Sequence, residues 1–213
     1  MLTGLLWNFW SFLILFTVIH FGCWFEFVKL MKKIYAGKYL KYCLFGLIYI
    51  SIPILLIINL TGIVIIHGDM AIKDFFNPFS FLIPCGIIFS IWINDTSAYL
   101  VGSFIGKTPL TKISPKKTVE GTIGGAILCI IVISLLAYFI PAAKIIEVRH
   151  WAIIAALCAI FGTFGDLFES KLKRMANVKD SGSFMPGHGG FLDRFDSLLF
   201  AVPAVWLYVK IFL

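Results

Sequence analysis

Residues 122–140 read TIGGAILCIIVISLLAYFI, nineteen positions without one charged side chain. As an α-helix rising about 1.5 Å per residue, this run covers ~28 Å, close to the thickness of a bilayer's hydrocarbon core. It is too long for a membrane strand and shows no period-2 alternation, which argues for helices over a barrel. In lipid, a helix satisfies its backbone N–H and C=O groups internally. The reading decides the fold class: an all-α integral membrane protein.

Working outward, comparable apolar windows lie at Leu5–Val28, Tyr42–Ile66, Phe79–Leu100 and Trp151–Phe168. A further window, Leu198–Leu213, is at the short limit for a span and carries Lys210 near its end, where a lysine can snorkel to the interface. The expectation is one polytopic membrane domain, 1–213, of about six transmembrane helices. Composition agrees. The chain is 60% hydrophobic and 14% charged with a mean hydropathy of +0.97, against about 25% charged residues in soluble domains. The first window lacks a basic leader and is longer than a signal-peptide core, so it reads as a retained span. Cys23, Cys43, Cys85, Cys129 and Cys158 all fall in apolar windows with no CxxC pair. They read as reduced core residues, with no disulfide frame and no zinc site.

The net charge of +7 is unevenly placed. Lys29–Lys41 carries five lysines, Val101–Gly121 four, and Ser170–Asp196 five Lys or Arg, together 14 of the 18 basic residues. These are the first, third and fifth loops between the windows. The second and fourth loops hold only Lys73, Lys144 and Arg149, offset by Asp69, Asp74 and Glu147. The positive-inside rule puts the basic loops in the cytoplasm and both termini outside. In the first loop the lysines need do no more than set topology.

The third and fifth loops hold more than lysine. The third window leaves the apolar region as IWINDTSAYLVGSFIG, with Asn94 and Asp95 at its boundary, where an ionisable group is costly and usually functional. Tyr99 follows Asp95 by one helical turn. Gly102 and Gly106 keep the four-residue spacing of a small-xxx-small packing face. Then comes Ile113-Ser-Pro-Lys-Lys-Thr-Val-Glu-Gly121, where Ser114 before a proline reads as a helix start offering a hydroxyl and backbone N–H groups to phosphate. Lys116 and Lys117 add point charges. A capped helix entry with topology-setting lysines is the plainer alternative.

The fifth loop, SKLKRMANVKDSGSFMPGHGGFLDRFDS at Ser170–Ser197, is denser still. If the preceding helix continues, Asp166, Glu169, Ser170 and Lys173 form one stripe. Asp193 and Asp196, spaced i, i+3, point the same way at a helix start. Asp166, Asp193 and Asp196 can then converge at one membrane-surface site, where carboxylate oxygens beside phosphate-binding cations suit Mg²⁺. Salt bridges and helix capping account for single members of this set. The glycines around His188 allow close approach of a nucleotide.

These motifs resemble the phosphatidate cytidylyltransferase (CDP-diacylglycerol synthase) family. The resemblance rests on Ser170-x-x-Lys173-Arg174, Lys179-Asp180, Pro186-Gly187-His188-Gly189-Gly190 and Asp193-Arg194-x-Asp196-Ser197. Asn94-Asp95 to Gly106-Lys107, Ser114–Gly121 and Gly165-Asp166 with Glu169-Ser170 extend it over roughly 92–197. It implies cytidylyl transfer from CTP to phosphatidic acid, giving CDP-diacylglycerol and diphosphate at the cytoplasmic face of a bacterial inner membrane. It also implies Mg²⁺ held by Asp166, Asp193 and Asp196, with K⁺ able to share the centre. Asp166, Lys173, Asp193 and Asp196 would then carry catalysis. Ser114, Lys116, Lys117, Glu120, Ser170, Arg174, Lys179, Asp180, His188, Gly189, Arg194 and Asp95 would bind substrate. Val119 departs from a frequent tryptophan, Met185 from Ile or Leu, and 213 residues is short for bacterial members. A homodimer packed through glycine-rich faces is a further expectation; nucleic acid is not expected as a partner. Two other readings stay open: a CTP-dependent transferase or kinase acting on another lipid (a polyprenol or an ether-lipid phosphate), and a transporter using Asp95 and Asp166. The gathering of charge at one face disfavours transport.

Overall fold

The computed structural model describes residues 8–62, 80–182 and 189–213, and these are helical throughout their long elements. The chain forms α1 (Phe9–Tyr35), a 3₁₀ turn (Ala36–Lys38) and α2 (Tyr39–Cys43). A π-helical turn (Leu47–Ser51) then runs into α3 (Ile52–Leu60). The second half comprises α4 (Leu82–Ile105), α5 (Val119–Phe139), a 3₁₀ turn (Pro141–Ile145), α6 (Val148–Met175) and α7 (Leu192–Phe212). The all-α class read from the apolar runs is the one observed.

Among the described residues, four stretches are long and apolar enough to cross a membrane: Phe9–Cys43, α5, α6 and α7. The window expected at Tyr42–Ile66 contains a shorter apolar helix, Leu47–Leu60, and residues 63–66 lie outside those described. The window at Phe79–Leu100 becomes α4, a continuous helix of 24 residues whose apolar run is interrupted by Asn94 and Asp95. The last window, borderline when started at Leu198, gains length because the helix begins at Leu192 and runs for 21 residues.

Local signals account for the helix starts. Asn8 and Ser11 form a capping box at α1, with Ser11 N donating to Asn8 Oδ1 at 2.8 Å. Thr118 caps α5 by accepting from Gly121 N at 3.1 Å. Along α1, Phe12, Phe16, Ile19, Cys23, Phe27 and Leu30 are buried, while Ile14, Val18, Phe21 and Phe25 are 53–73% exposed. An outward apolar stripe of this kind is tolerable only against lipid.

Two helix pairs pack most extensively, α4 with α5 and α6 with α7. The first is a close backbone approach: a Cβ on Gly125 would lie 2.7 Å from the Ala98 backbone nitrogen, and one on Gly121 2.9 Å from Gly102 Cα. The small-residue face around Gly102 and Gly106 is therefore spent inside the chain. The second pair meets where Gly165 leaves room for the carbonyl of Asp196, 2.3 Å from where a Cβ would stand. The five cysteines are free thiols, four of them buried.

Candidate active site

A cavity of about 620 Å³ opens where α4, α5, α6, α7 and the loop 106–118 meet. From α4 it takes Asn94, Asp95 and Tyr99, from the loop Ser114, Lys116 and Lys117, from α6 Thr163 and Asp166, and from α7 Asp193 and Asp196. Residues more than 100 positions apart are thus brought together. Asp95, Ser114, Lys116, Lys117, Asp166, Asp193 and Asp196, all singled out in the sequence, line one space.

The loop is shaped by its own hydrogen bonds. Leu110 N donates to Lys117 O at 2.7 Å and Val119 N to Thr108 O at 2.9 Å. Glu120 accepts from the backbone N–H groups of Lys107 and Thr108 at 3.1–3.2 Å, folding the loop back on itself. Its carboxylate therefore acts on the loop. Ser114 differs from expectation. It belongs to a turn closed by Lys117 N donating to Ser114 O at 3.1 Å, and the helix starts only at Val119 behind Thr118. Ser114 faces the cavity as a turn residue, without the helix N-terminus assumed for it. Lys117 pairs with Asp166 across the cavity. Burial pushes the Lys117 ammonium below its ordinary pKa, against the upward pull of Asp95 and Asp196.

The expected stripe on α6 forms because the helix continues unbroken to Met175. Asp166, Glu169 and Asp196 each offer a carboxylate oxygen within 4.8 Å of the others. Glu169 is fully buried, and its Oε1 has no partner among the described residues. The ion-pair partner of its Oε2 is Lys173 Nζ, 2.5 Å away. Asp193 turns its carboxylate elsewhere: Lys173 donates to Oδ1 at 2.6 Å, while Ser181 N and Gly190 N donate to Oδ2 at 2.9 and 2.8 Å. Gly189 makes this possible. Its φ of +79° turns the chain so that the next N–H reaches Asp193, and a Cβ there would lie 2.8 Å from Oδ2. Ser170 reaches Asp166 Oδ1 at 3.4 Å. Arg174, Lys179, Asp180 and Arg194 are exposed and are not among the residues that line this cavity, and His188 lies outside the described residues.

Three residues escaped the sequence reading in whole or part. Glu169 was placed on the stripe but given no role of its own. Glu26, on α1, is 4% exposed and accepts from Ser181 Oγ at 2.6 Å and from the N–H groups of Phe191 and Leu192, both at 2.9 Å. A lone carboxylate inside an apolar window was a readable signal. Tyr49 had none. The π-helical turn cages its ring among Phe27, Phe45, Phe168 and Phe200 at centroid distances of 5.0–6.3 Å. Among the described residues its buried hydroxyl has no hydrogen-bond partner.

This geometry carries the signature motifs on α6 and α7 and around one cavity, and the sequence pattern of the cytidylyltransferase family matches residues 1–212. The chain belongs to the cytidylyltransferase family. Among curated members, it is 43% identical over 123 residues to the phosphatidate cytidylyltransferase of Bacillus subtilis (strain 168), covering 57% of this chain and 45% of that protein. It is 45% identical over 116 residues to the namesake of Staphylococcus haemolyticus (strain JCSC1435), 53% of this chain and 43% of that one. The match to the Staphylococcus saprophyticus protein is longer, 35% over 181 residues, covering 84% of this chain and 62% of the relative. The chain spans about half the length of the curated relatives it matches.

Proposed function

We propose that this protein transfers the cytidylyl group of CTP to phosphatidate, the activity carried in its relatives' names. The observation that supports this best is the cavity itself, which combines an acidic cluster, two loop lysines and walls on long apolar helices. In the reaction, a phosphate oxygen of the lipid attacks the α-phosphorus of CTP. The new P–O bond forms as the bond to the β-phosphate bridging oxygen breaks, and diphosphate leaves with its electron pair. No protein nucleophile is needed.

Asp166, Glu169 and Asp196 fit a divalent cation, Mg²⁺ first. All three donors are hard carboxylate oxygens, and the buried Glu169 keeps Oε1 without a partner among the described residues, its Oε2 being paired with Lys173. When bound, such an ion neutralises phosphate charge during displacement. K⁺ sharing the centre remains a family-based expectation. Lys116 and Lys117 bind phosphate oxygens from the loop, while Lys173 holds Asp193 and Glu169 in register. Arg174, Lys179, His188 and Arg194 complete the substrate contacts of this reading. The active site faces the cytoplasm of a bacterial inner membrane. Any homodimer uses faces other than the α4–α5 glycine stripe.

The test is turnover by detergent-purified protein given phosphatidic acid, α-³²P-CTP and Mg²⁺, beside Asp196→Asn. The expected result is label in a chloroform-soluble lipid, lost with chelator and reduced at least ~100-fold in the variant. Label confined to water-soluble CDP, with phosphate moved to added polyprenol, would select the kinase reading instead.

A further inference from the structure

A continuous polar chain runs from α1 to the acidic cluster. Glu26 Oε2 takes the Ser181 hydroxyl at 2.6 Å, and Ser181 lies 2.9 Å from Asp193 Oδ2 through both Oγ and N. Asp193 Oδ1 takes Lys173 Nζ at 2.6 Å, and Lys173 reaches Glu169 Oε2 at 2.5 Å. The far end, Glu169, sits within 4.8 Å of Asp166 and Asp196.

We infer that Glu26 is a positioning residue for the reaction centre, fixing through this chain and through the start of α7 where Asp193, Asp196 and Glu169 stand. The inference rests on the reading proposed above. Phe191, at the N-cap position of α7, supplies no side-chain cap. The N–H groups of Phe191 and Leu192 instead donate to Glu26, a residue 165 positions upstream. An ordinary cap needs only a local Ser, Thr, Asp or Asn. A buried carboxylate delivered from another helix costs desolvation, which its three donors and the positive helix end offset. Both flanking turns are built around it: a Cβ on Gly182 or Gly190 would stand 2.1–2.2 Å from a Glu26 oxygen. One turn earlier on the same face of α1, Gly22 receives the Phe191 ring, 2.5 Å from where its Cβ would be. One helix thus sets both the height and the rotation of the segment bearing Asp193 and Asp196.

Glu26→Gln keeps shape and volume but replaces one acceptor oxygen with an NH₂ facing a donor. The measurement is Mn²⁺ affinity of the purified protein by electron paramagnetic resonance, together with melting temperature and kcat and KM for CTP. The expected result is Mn²⁺ affinity and kcat each lowered about 10-fold or more, with KM for CTP within about 3-fold of wild type. Ser181→Ala, which cuts the chain without touching a carboxylate, gives the same signature more weakly. The double variant is no worse than Glu26→Gln, because both act through one chain. If Glu26→Gln does not fold, Ser181→Ala and Glu26→Asp carry the test. Unchanged Mn²⁺ affinity and unchanged turnover per folded molecule, with only a lower melting temperature, would reduce Glu26 to a structural cap and overturn the inference. Since Mn²⁺ binding needs no lipid or CTP, wild type that binds Mn²⁺ but makes no CDP-lipid counts against the proposed reaction alone.

Discussion

Lys173 is the residue on which the acidic centre balances. Its ammonium lies 2.5 Å from Glu169 and 2.6 Å from Asp193, and its side chain is only 15% exposed. Removing one member of a buried ion pair leaves the other charge uncompensated, typically at about 3–5 kcal/mol. Lys173→Met should therefore lower the melting temperature in detergent and abolish turnover. Adding Glu169→Gln should return most of the stability and none of the activity, because the neutral amide no longer needs the ammonium but cannot replace the carboxylate proposed above to hold the cation. A Lys173→Met protein that melts with wild type would contradict the pairing. The stripe placing Asp166, Glu169, Ser170 and Lys173 on one helix face was legible from spacing alone. The division of labour along it was not, since Asp193 is drawn to Lys173, Ser181 and Gly190 by partners that no local spacing reveals.

At the scale of the elements, two contacts aim the site, and both are set by glycines. Along α6, Gly162 and Gly165 face α7, but a Cβ at Gly162 would find its nearest neighbour at 3.5 Å, whereas one at Gly165 would meet the Asp196 carbonyl at 2.3 Å. Gly162→Ala should leave activity within about 2-fold of wild type. Gly165→Ala should cut kcat by ~100-fold, since backbone cannot yield as a side-chain tip can and small displacements of reacting groups are expensive. Equal tolerance at both positions would show that α7 can slide. On the other side, Gly125→Ala should lower stability by about 1–3 kcal/mol by prising α5 from the backbone of Ala98, read as a shift in thermal melting. The four-residue glycine spacing announced a close helix contact. Whether it served this chain or a second copy was decided by the pairing of α4 with α5.

For the whole molecule, the three basic loops end up on one face of the bundle. Lys29 and Lys33 share a small cavity with Asp180 and Ser181, and Lys117 reaches Asp166. If positive charge sets orientation, single cysteines at Lys38 and Lys112, placed in a background lacking the five native cysteines, should label together. A membrane-impermeant maleimide should reach both only after the cytoplasmic side is opened. Labelling of either from outside in intact cells would reverse the orientation. The exposed apolar stripe of α1 bears on insertion: Ile14→Lys, at a position 64% exposed, should deplete the protein from the membrane fraction by presenting a charge to lipid.

The sequence by itself determined that the chain is a helical membrane protein, which family it resembles, and that its acidic and basic residues cluster in the third and fifth loops. Those properties are written in runs and spacings along the chain, which helix periodicity and the cost of burying charge translate directly. Only the tertiary structure decided that Glu169 stands with Asp166 and Asp196, that Ser114 lies in a turn ahead of the true helix start, and that Glu26 holds the beginning of α7. Each depends on which oxygen meets which N–H across helices up to 166 residues apart. A carboxylate's role is set by the donors that packing brings to it, and packing is a property of the assembled bundle.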